Sequence, residues 1–413
     1  MSVNFDVSPE TRQLLAEVRD WSLHTLRPLA RQADTEQYYP RDKKWCVETC
    51  PVDLSPLAFP GMRDKDGMLT QLYGDKKWVA SLREDGSSLV GVMVMEEMNY
   101  GDGWGWQQLA GSGVGEVVID ILGDQAQIEK WVGGVYRGEF GLTGWGSTEQ
   151  GAGADVTGVE ATAVRADRDG EPGWLLNGTK RFISNGAYCD YIVFFGSIDR
   201  SLPGKGLRAF IVEKDAPGFT VETEKEDKLG LRYTPQAKLR FSDVWVPDEN
   251  MLRGQADGAG TLRALATFNR TRPYCCAWGV GIAQGSLDYV RDHLKGQRRS
   301  FAPHRWTRIE DTLDELDYAL DQVRRLMWRA AWTFDQGLPD AKTASQAKAF
   351  VPQVSEAVVL RAMQLMGPEA ASEEHLLEKW YRDVKLMDLV EGPPQIQKIT
   401  VSRQMYGSQA ARG

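Results

Sequence analysis

Phe219-Thr220-Val221-Glu222-Thr223 and, further on, Ala237-Lys238-Leu239-Arg240-Phe241 alternate apolar and polar side chains. A period of two sends one face of an extended strand to a core and the other to water. Asp169-Gly170 and Pro217-Gly218 supply turn chemistry around such strands, and Pro247-Asp248-Glu249-Asn250 reads as the exit from the β region. Short strands at this spacing predict a barrel or sandwich. The β domain is therefore placed at residues 136–251.

The texture changes on both sides of it. Residues 1–135 read as helical: Leu14, Leu15, Val18, Trp21, Leu26 and Leu29 recur at three- and four-residue steps after a start at Ser8-Pro9-Glu10-Thr11. Residues 88–98 form a second apolar-rich helix candidate, while 37–82 carry several Pro, Gly and Lys residues and less order. Residues 252–413 are again helical. Leu313, Leu316, Leu320, Val323 and Met327 make an apolar stripe stopped by Gly337 and Pro339, and Pro352 should kink or divide the helix that follows. The order is α, β, α, in a chain of 413 residues that exceeds one typical core.

A net charge of −9 argues against a nucleic-acid partner. No apolar run reaches the length of a membrane span. The N-terminus lacks a basic, apolar export segment, which predicts a cytoplasmic protein. Five cysteines, Cys46, Cys50, Cys189, Cys275 and Cys276, with only four histidines, read as buried thiols, and no metal site is expected.

Single motifs are ambiguous. Gly151-Ala152-Gly153 lacks the third glycine of a dinucleotide fingerprint and precedes a strand, so it reads as a turn between strands. Glu391, before Gly392-Pro393-Pro394, fits a helix end with a proline opening the next helix. Arg272 fits a solvated charge at a helix start, and Arg298-Arg299-Ser300-Phe301 an ordinary basic patch.

Taken together, the ordered segments Ser147 to Asp155, Asn177 to Gly186, Gly206 to Lys214, Glu226 to Arg232, Phe241 to Pro247, Tyr381 to Lys385 and Glu391 to Lys398 resemble the acyl-CoA dehydrogenase family over nearly the whole chain. The resemblance implies an α+β multidomain fold: an N-terminal helical domain, a β-barrel-like middle domain and a C-terminal four-helix bundle. It implies FAD as cofactor, a homotetramer built as a dimer of dimers, and an electron-transfer flavoprotein as electron acceptor.

By the same resemblance, Glu391 is the base that takes the α-proton of an acyl-CoA thioester while flavin N5 takes the β-hydride. The thioester oxygen would be held by the glutamate's own N–H and a ribityl hydroxyl. Trp145, Ser147 and Thr148 match the first flavin-binding segment, and Phe182 and Ser184 the second. Arg298, Ser300 and Phe301 match the element that reaches a neighbouring subunit's FAD, Gln364 and Gly367 the adenine end, and Gln395 a further flavin contact. Gly392, Ala154 and Arg272 fall on the substrate side. A minority of the family carries its glutamate near the position of Thr271, but no acid lies between Phe268 and Pro273 here.

The chain departs from the family pattern on that substrate side. Pro393-Pro394 replace Thr-Ser, Val390 a tyrosine, Gln150 a proline, Ala154 a serine and Pro368 a glycine. Trp106 and Ala110 align near the acyl tail, so a short, branched, cyclic or aromatic acyl group is expected. The alternatives are a carrier-protein acyl dehydrogenase, an oxygen-using oxidase on the same fold, or a non-catalytic FAD-binding subunit.

Overall fold

Ser8 starts the first helix: its Oγ accepts the Thr11 N–H at 3.1 Å, satisfying one of the donors that a helix start leaves open. In the computed structural model, which describes residues 3–37, 87–104, 115–203, 205–253, 260–338 and 341–410, nine principal helices follow one another among the described residues. These are α1 (Pro9–Trp21), α2 (Arg27–Thr35), α3 (Ser87–Gly101), α4 (Gly115–Leu122), α5 (Gly260–Gly296), α6 (Pro303–Asp335), α7 (Ala341–Met366), α8 (Leu377–Leu389) and α9 (Pro394–Ala410). Between α4 and α5 lie β1 (Thr143–Gly146), β2 (Thr162–Arg165), β3 (Gly173–Ser184), β4 (Tyr191–Ser197), β5 (Leu207–Glu213), β6 (Phe219–Thr223) and β7 (Gln236–Pro247). The expectations for residues 38–82, and for Cys46, Cys50, Trp106, Ala110 and Pro339, concern residues outside those described.

The chain divides into two units. One is helical and comprises Met1–Gln108, Lys228–Tyr233 and Asn269–Gly413; the other comprises Leu109–Asp227 and Thr234–Phe268.

In the helical unit the expected stripes are buried. Leu14, Val18 and Trp21 of α1 pack on α3, and Leu313, Leu320, Val323 and Met327 of α6 are enclosed. Asp335, the last residue of α6, accepts from the Ser88 and Leu89 N–H groups at 3.0 and 2.9 Å and so caps α3. Gly281 and Gly285 lie one turn apart on α5. A Cβ at these positions would stand 2.3 Å from Glu96 O and 2.2 Å from Tyr100 O, so only glycine lets α5 and α3 approach this closely.

One expectation is narrowed and another corrected here. Pro352 does not divide its helix, for α7 runs unbroken from Ala341 to Met366. Proline costs one backbone bond, and Pro352 is itself buried within the packed bundle, which offsets the loss. Arg272-Pro273 is not a solvated helix start either: both lie inside α5, and Arg272 is only 8% exposed.

The second unit is a curled seven-stranded sheet in the order β1-β4-β2-β3-β7-β6, with β5 on β4. The alternation that predicted strands pairs with itself: Phe219 lies opposite Phe241 and Val221 opposite Leu239. Ala237, Leu239 and Phe241 are buried, whereas Val221 is exposed because β6 is an edge strand. Asp169 and Gly170 both have positive φ, as the turn chemistry required.

The segment Lys228–Tyr233 belongs to the helical unit although it lies between two strands of the sheet. The Leu231 N–H donates to Asp383 Oδ1 at 2.6 Å, and Arg382 donates to Leu229 O at 3.0 Å. Lys379 Nζ bonds Asp102 Oδ1 and Oδ2 at 2.8 and 2.7 Å and Asp383 Oδ2 at 2.7 Å, with all three side chains fully enclosed. This cluster fixes α8, the helix that leads to Glu391.

Candidate active site

Helix α8 ends at Leu389 and α9 begins at Pro394, so the turn between them carries Glu391 and Gly392. Both have positive φ, 58° and 89°. For a glutamate this is a strained conformation, of the kind kept where a side chain must be aimed. The turn is held from below by Gln397, fully buried, whose Nε2 donates to Glu391 O at 3.1 Å and Gly392 O at 2.9 Å. A Cβ at Gly392 would lie 2.6 Å from that same nitrogen.

Besides α9, two helices of the bundle bring side chains to this turn. Thr271 of α5 donates its hydroxyl to Glu391 Oε2 at 2.5 Å. Arg272 reaches Glu391 O with Nε at 3.3 Å and Ser345 Oγ on α7 with another nitrogen at 3.3 Å. Lys348, fully buried on α7, donates to Asp388 O at 3.3 Å. Burial pushes the Glu391 carboxyl above its ordinary value, while the Thr271 hydroxyl and the charges of Arg272 and Lys348 pull it down. The result is a carboxylate that is more basic than one in water yet still supported in its ionised form.

The Glu391 backbone N–H has no acceptor among the described residues. Cys275 and Cys276 stand nearby on α5, and burial pushes the Cys275 thiol up to about 12 and the Cys276 thiol up as well. Neither is a nucleophile under ordinary conditions.

In the sheet unit, the residues expected at a flavin share one region of the sheet. Trp145 on β1 lies against Phe268, centroids 4.8 Å apart, and its enclosed Nε1 has no hydrogen-bond partner among the described residues. Thr148 follows β1 with its hydroxyl unbonded among the described residues, while its carbonyl accepts from the Arg181 N–H at 2.9 Å. Phe182 sits in an irregularity of β3, at φ 57°, with its side chain 44% exposed. Ser184 accepts from Gln236 Nε2 at 3.3 Å. An orphaned indole N–H, a free hydroxyl and an exposed aromatic face fit a large aromatic ring with hydrogen-bonding edges.

Behind this face, Lys180 Nζ pairs with Glu149 Oε1 at 2.6 Å, and Glu149 also accepts from the N–H groups of Glu160 and Ala161 at 2.7 and 3.1 Å. Ser147 supplies its carbonyl to Lys180 at 3.4 Å. Gln150 is exposed and accepts from Arg181, and Ala154 is exposed on the loop after it.

The remaining expected residues lie elsewhere in the helical unit. Arg298, Ser300 and Phe301 occupy the turn between α5 and α6, with the Arg298 guanidinium 4.9 Å from the Trp306 ring centre. From Thr271 to Gly296, α5 extends roughly 38 Å at a rise of about 1.5 Å per residue, so this turn is remote from Glu391 within one chain. Gln364 is exposed near the end of α7 and accepts from Arg361 at 2.9 Å, and Gly367 follows at φ 86°. Gln395 is exposed in the first turn of α9. Trp106 and Ala110 are outside the described residues.

Reading the sequence alone missed four parts of the site: Thr271, Gln397, Ser345 and Lys348. Gln397 sits six residues after Glu391, a spacing that points back across the first turn of the following helix. Ser345 and Lys348 carry no local signal, because only the packing of α7 on its neighbours brings them in.

Two family models match this chain: "Acyl-CoA dehydrogenase, middle domain" over residues 144–244 and "Acyl-CoA dehydrogenase, C-terminal domain" over residues 258–406. The short-chain specific acyl-CoA dehydrogenase, mitochondrial, of Bos taurus is 30% identical over 410 residues, spanning 97% of this chain and 91% of its own. The glutaryl-CoA dehydrogenase of Desulfococcus multivorans is 29% identical over 99% of this chain and 100% of its own. Among solved structures, butyryl-CoA dehydrogenase from Megasphaera elsdenii superposes with a TM-score of 0.84 at 28% identity, covering 98% of this chain and 100% of that one.

Proposed function

The chain belongs to the acyl-CoA dehydrogenase family of oxidoreductases, and on that premise we propose that it dehydrogenates an acyl-CoA thioester between the α and β carbons, with Glu391 as the base. The observation that carries this reading is the Glu391 turn: a glutamate on strained backbone, its carboxylate bonded by Thr271 and its carbonyl by Gln397 and Arg272. An α C–H is a weak acid, so proton removal needs a base matched to it and a donor for the developing enolate oxygen. Burial, which raises the proton affinity of its carboxyl, supports Glu391 as that base. Its own N–H, without an acceptor among the described residues, is the donor we assign to the thioester oxygen.

FAD is the cofactor we assign, and when bound it supplies a two-electron acceptor for the β-hydride. Trp145, Ser147, Thr148, Phe182 and Ser184 would hold its ring system. Arg298, Ser300 and Phe301 lie just past the end of α5 away from Thr271, which supports assigning them to the FAD of a neighbouring copy. Gln364 and Gly367 would meet the adenine end and Gln395 the flavin. This arrangement calls for at least a dimer, and we assign the homotetramer. An electron-transfer flavoprotein is the assigned acceptor.

The substrate we assign is a short, branched, cyclic or aromatic acyl-CoA. Its support is the bulk of Trp106 beside Ala110 in the sequence, together with relatives named for short-chain, butyryl and glutaryl thioesters. Ala154, Arg272 and Gly392 are assigned to the thioester and CoA side. Product analysis with butyryl, isobutyryl, phenylpropionyl and palmitoyl thioesters tests this: a trans-2-enoyl product from the compact esters supports it. Fastest turnover of the palmitoyl ester removes the substrate assignment.

A further inference from the structure

The Glu391 carboxylate has two oxygens, and they are not equivalent. Oε2 accepts the Thr271 hydroxyl at 2.5 Å, whereas Oε1 accepts no hydrogen bond among the described residues. Thr271 is 3% exposed and sits on α5, one residue before the Arg272 that holds the carbonyl of the same glutamate. Two adjacent residues of one rigid helix therefore grip both ends of Glu391, the carboxylate and the backbone. A glutamate has three side-chain torsions, and without such a grip it would spread over several rotamers.

We propose that Thr271 is a positioning residue for the Glu391 base, anchoring Oε2 so that Oε1 is the oxygen that receives the α-proton. The proposal rests on Glu391 being the base, as argued above. In the step concerned, the α C–H bond breaks, an O–H bond forms at Oε1, and the electron pair passes into the enolate of the thioester. Thr271 keeps its own proton throughout. Its hydroxyl also favours the ionised carboxylate, together with Arg272 of α5 and Lys348 of α7; the other titratable groups at this turn are Cys275 and Cys276 of α5 and Asp388 at the end of α8.

A methyl in place of the hydroxyl keeps the shape and removes the grip. For Thr271→Val, kcat should fall roughly tenfold to a hundredfold with little change in KM. The acidic limb of its pH–rate profile should move to higher pH, since the group lowering the carboxyl's proton affinity is gone. Thr271→Ser should restore both. The proton step is isolated with an acyl-CoA analogue carrying sulfur at the β position, which loses no β-hydride: its α-hydrogen exchange in heavy water should slow in Thr271→Val by the same factor. Thr271→Ala serves if the valine variant fails to fold, and melting temperatures identify that case.

A valine variant with wild-type exchange and pH profile overturns the proposal. So does a serine variant as impaired as valine, which would make the methyl group the functional part. Glu391→Gln is measured alongside. If it still exchanges the α-hydrogen, the base assignment has failed; if it does not and Thr271→Val is normal, only the role of Thr271 has failed.

Discussion

Lys180 Nζ lies 2.6 Å from Glu149 Oε1, an ion pair whose lysine is wholly enclosed by the sheet. It ties the loop that carries Thr148 to strand β3, which carries Phe182, and so stiffens the face assigned to the flavin. Lys180→Met leaves a buried carboxylate with only its two backbone donors, and should destabilise the protein by about 3 kcal/mol. Urea denaturation at neutral pH measures this, and flavin content should fall with it.

The same lysine gives a pH signature. Burial lowers Lys180 from 10.5 to about 8. Between those values the unfolded chain holds this proton and the folded chain does not, so the group's contribution to stability rises with pH across the window. Melting curves from about pH 8 to about pH 10.5 should show a component of that sign in the wild type, absent in Lys180→Met.

Lys379 serves two enclosed carboxylates, Asp102 and Asp383. Removing the ammonium strands both, whereas Asp383→Asn leaves a one-to-one pair and an amide oxygen for the Leu231 N–H. Lys379→Met should cost about 4 kcal/mol and Asp383→Asn only about 1–2 kcal/mol. Denaturation midpoints decide it, and the reverse order contradicts the reading of the cluster as short of positive charge.

Gly392→Ala tests the turn itself. The position has φ 89°, and the new Cβ would meet Gln397 Nε2 at 2.6 Å. The strain should cost about 1–3 kcal/mol, and the displaced turn should lower kcat more than a surface substitution of equal destabilisation.

Phe182 gives the opposite balance. A bulky residue at φ 57° is strained, and Phe182 is 44% exposed in the chain itself. Phe182→Gly should leave stability of the flavin-free protein within about 1 kcal/mol while raising the flavin Kd roughly tenfold. Calorimetric melting and fluorescence titration with FAD separate the two effects.

How much of this was legible beforehand follows from range. The Ser8 cap, the Leu313 to Met327 stripe and the Ala237 to Phe241 alternation are set by neighbours a few residues away, and the structure keeps all of them. The exposure of Val221 depends on where β6 falls in the sheet, which no local period encodes. Arg272 looked like a solvated helix start because proline usually marks one; here α5 continues through Pro273 in a packed bundle. The bond from Thr271 to Glu391 joins residues 120 apart, and neither residue type announces the other. Glu391 was found through its surrounding motif, while its brace is a product of tertiary packing alone.

The most direct test of the central claim is anaerobic mixing of the purified flavoprotein with a panel of acyl-CoA esters, for the wild type and Glu391→Gln, while following the flavin absorbance. Rapid bleaching by a compact acyl ester, slowed by at least about 10³-fold in the variant, is the predicted result. Bleaching that persists unchanged in Glu391→Gln, or a bound flavin that no ester reduces, would contradict it.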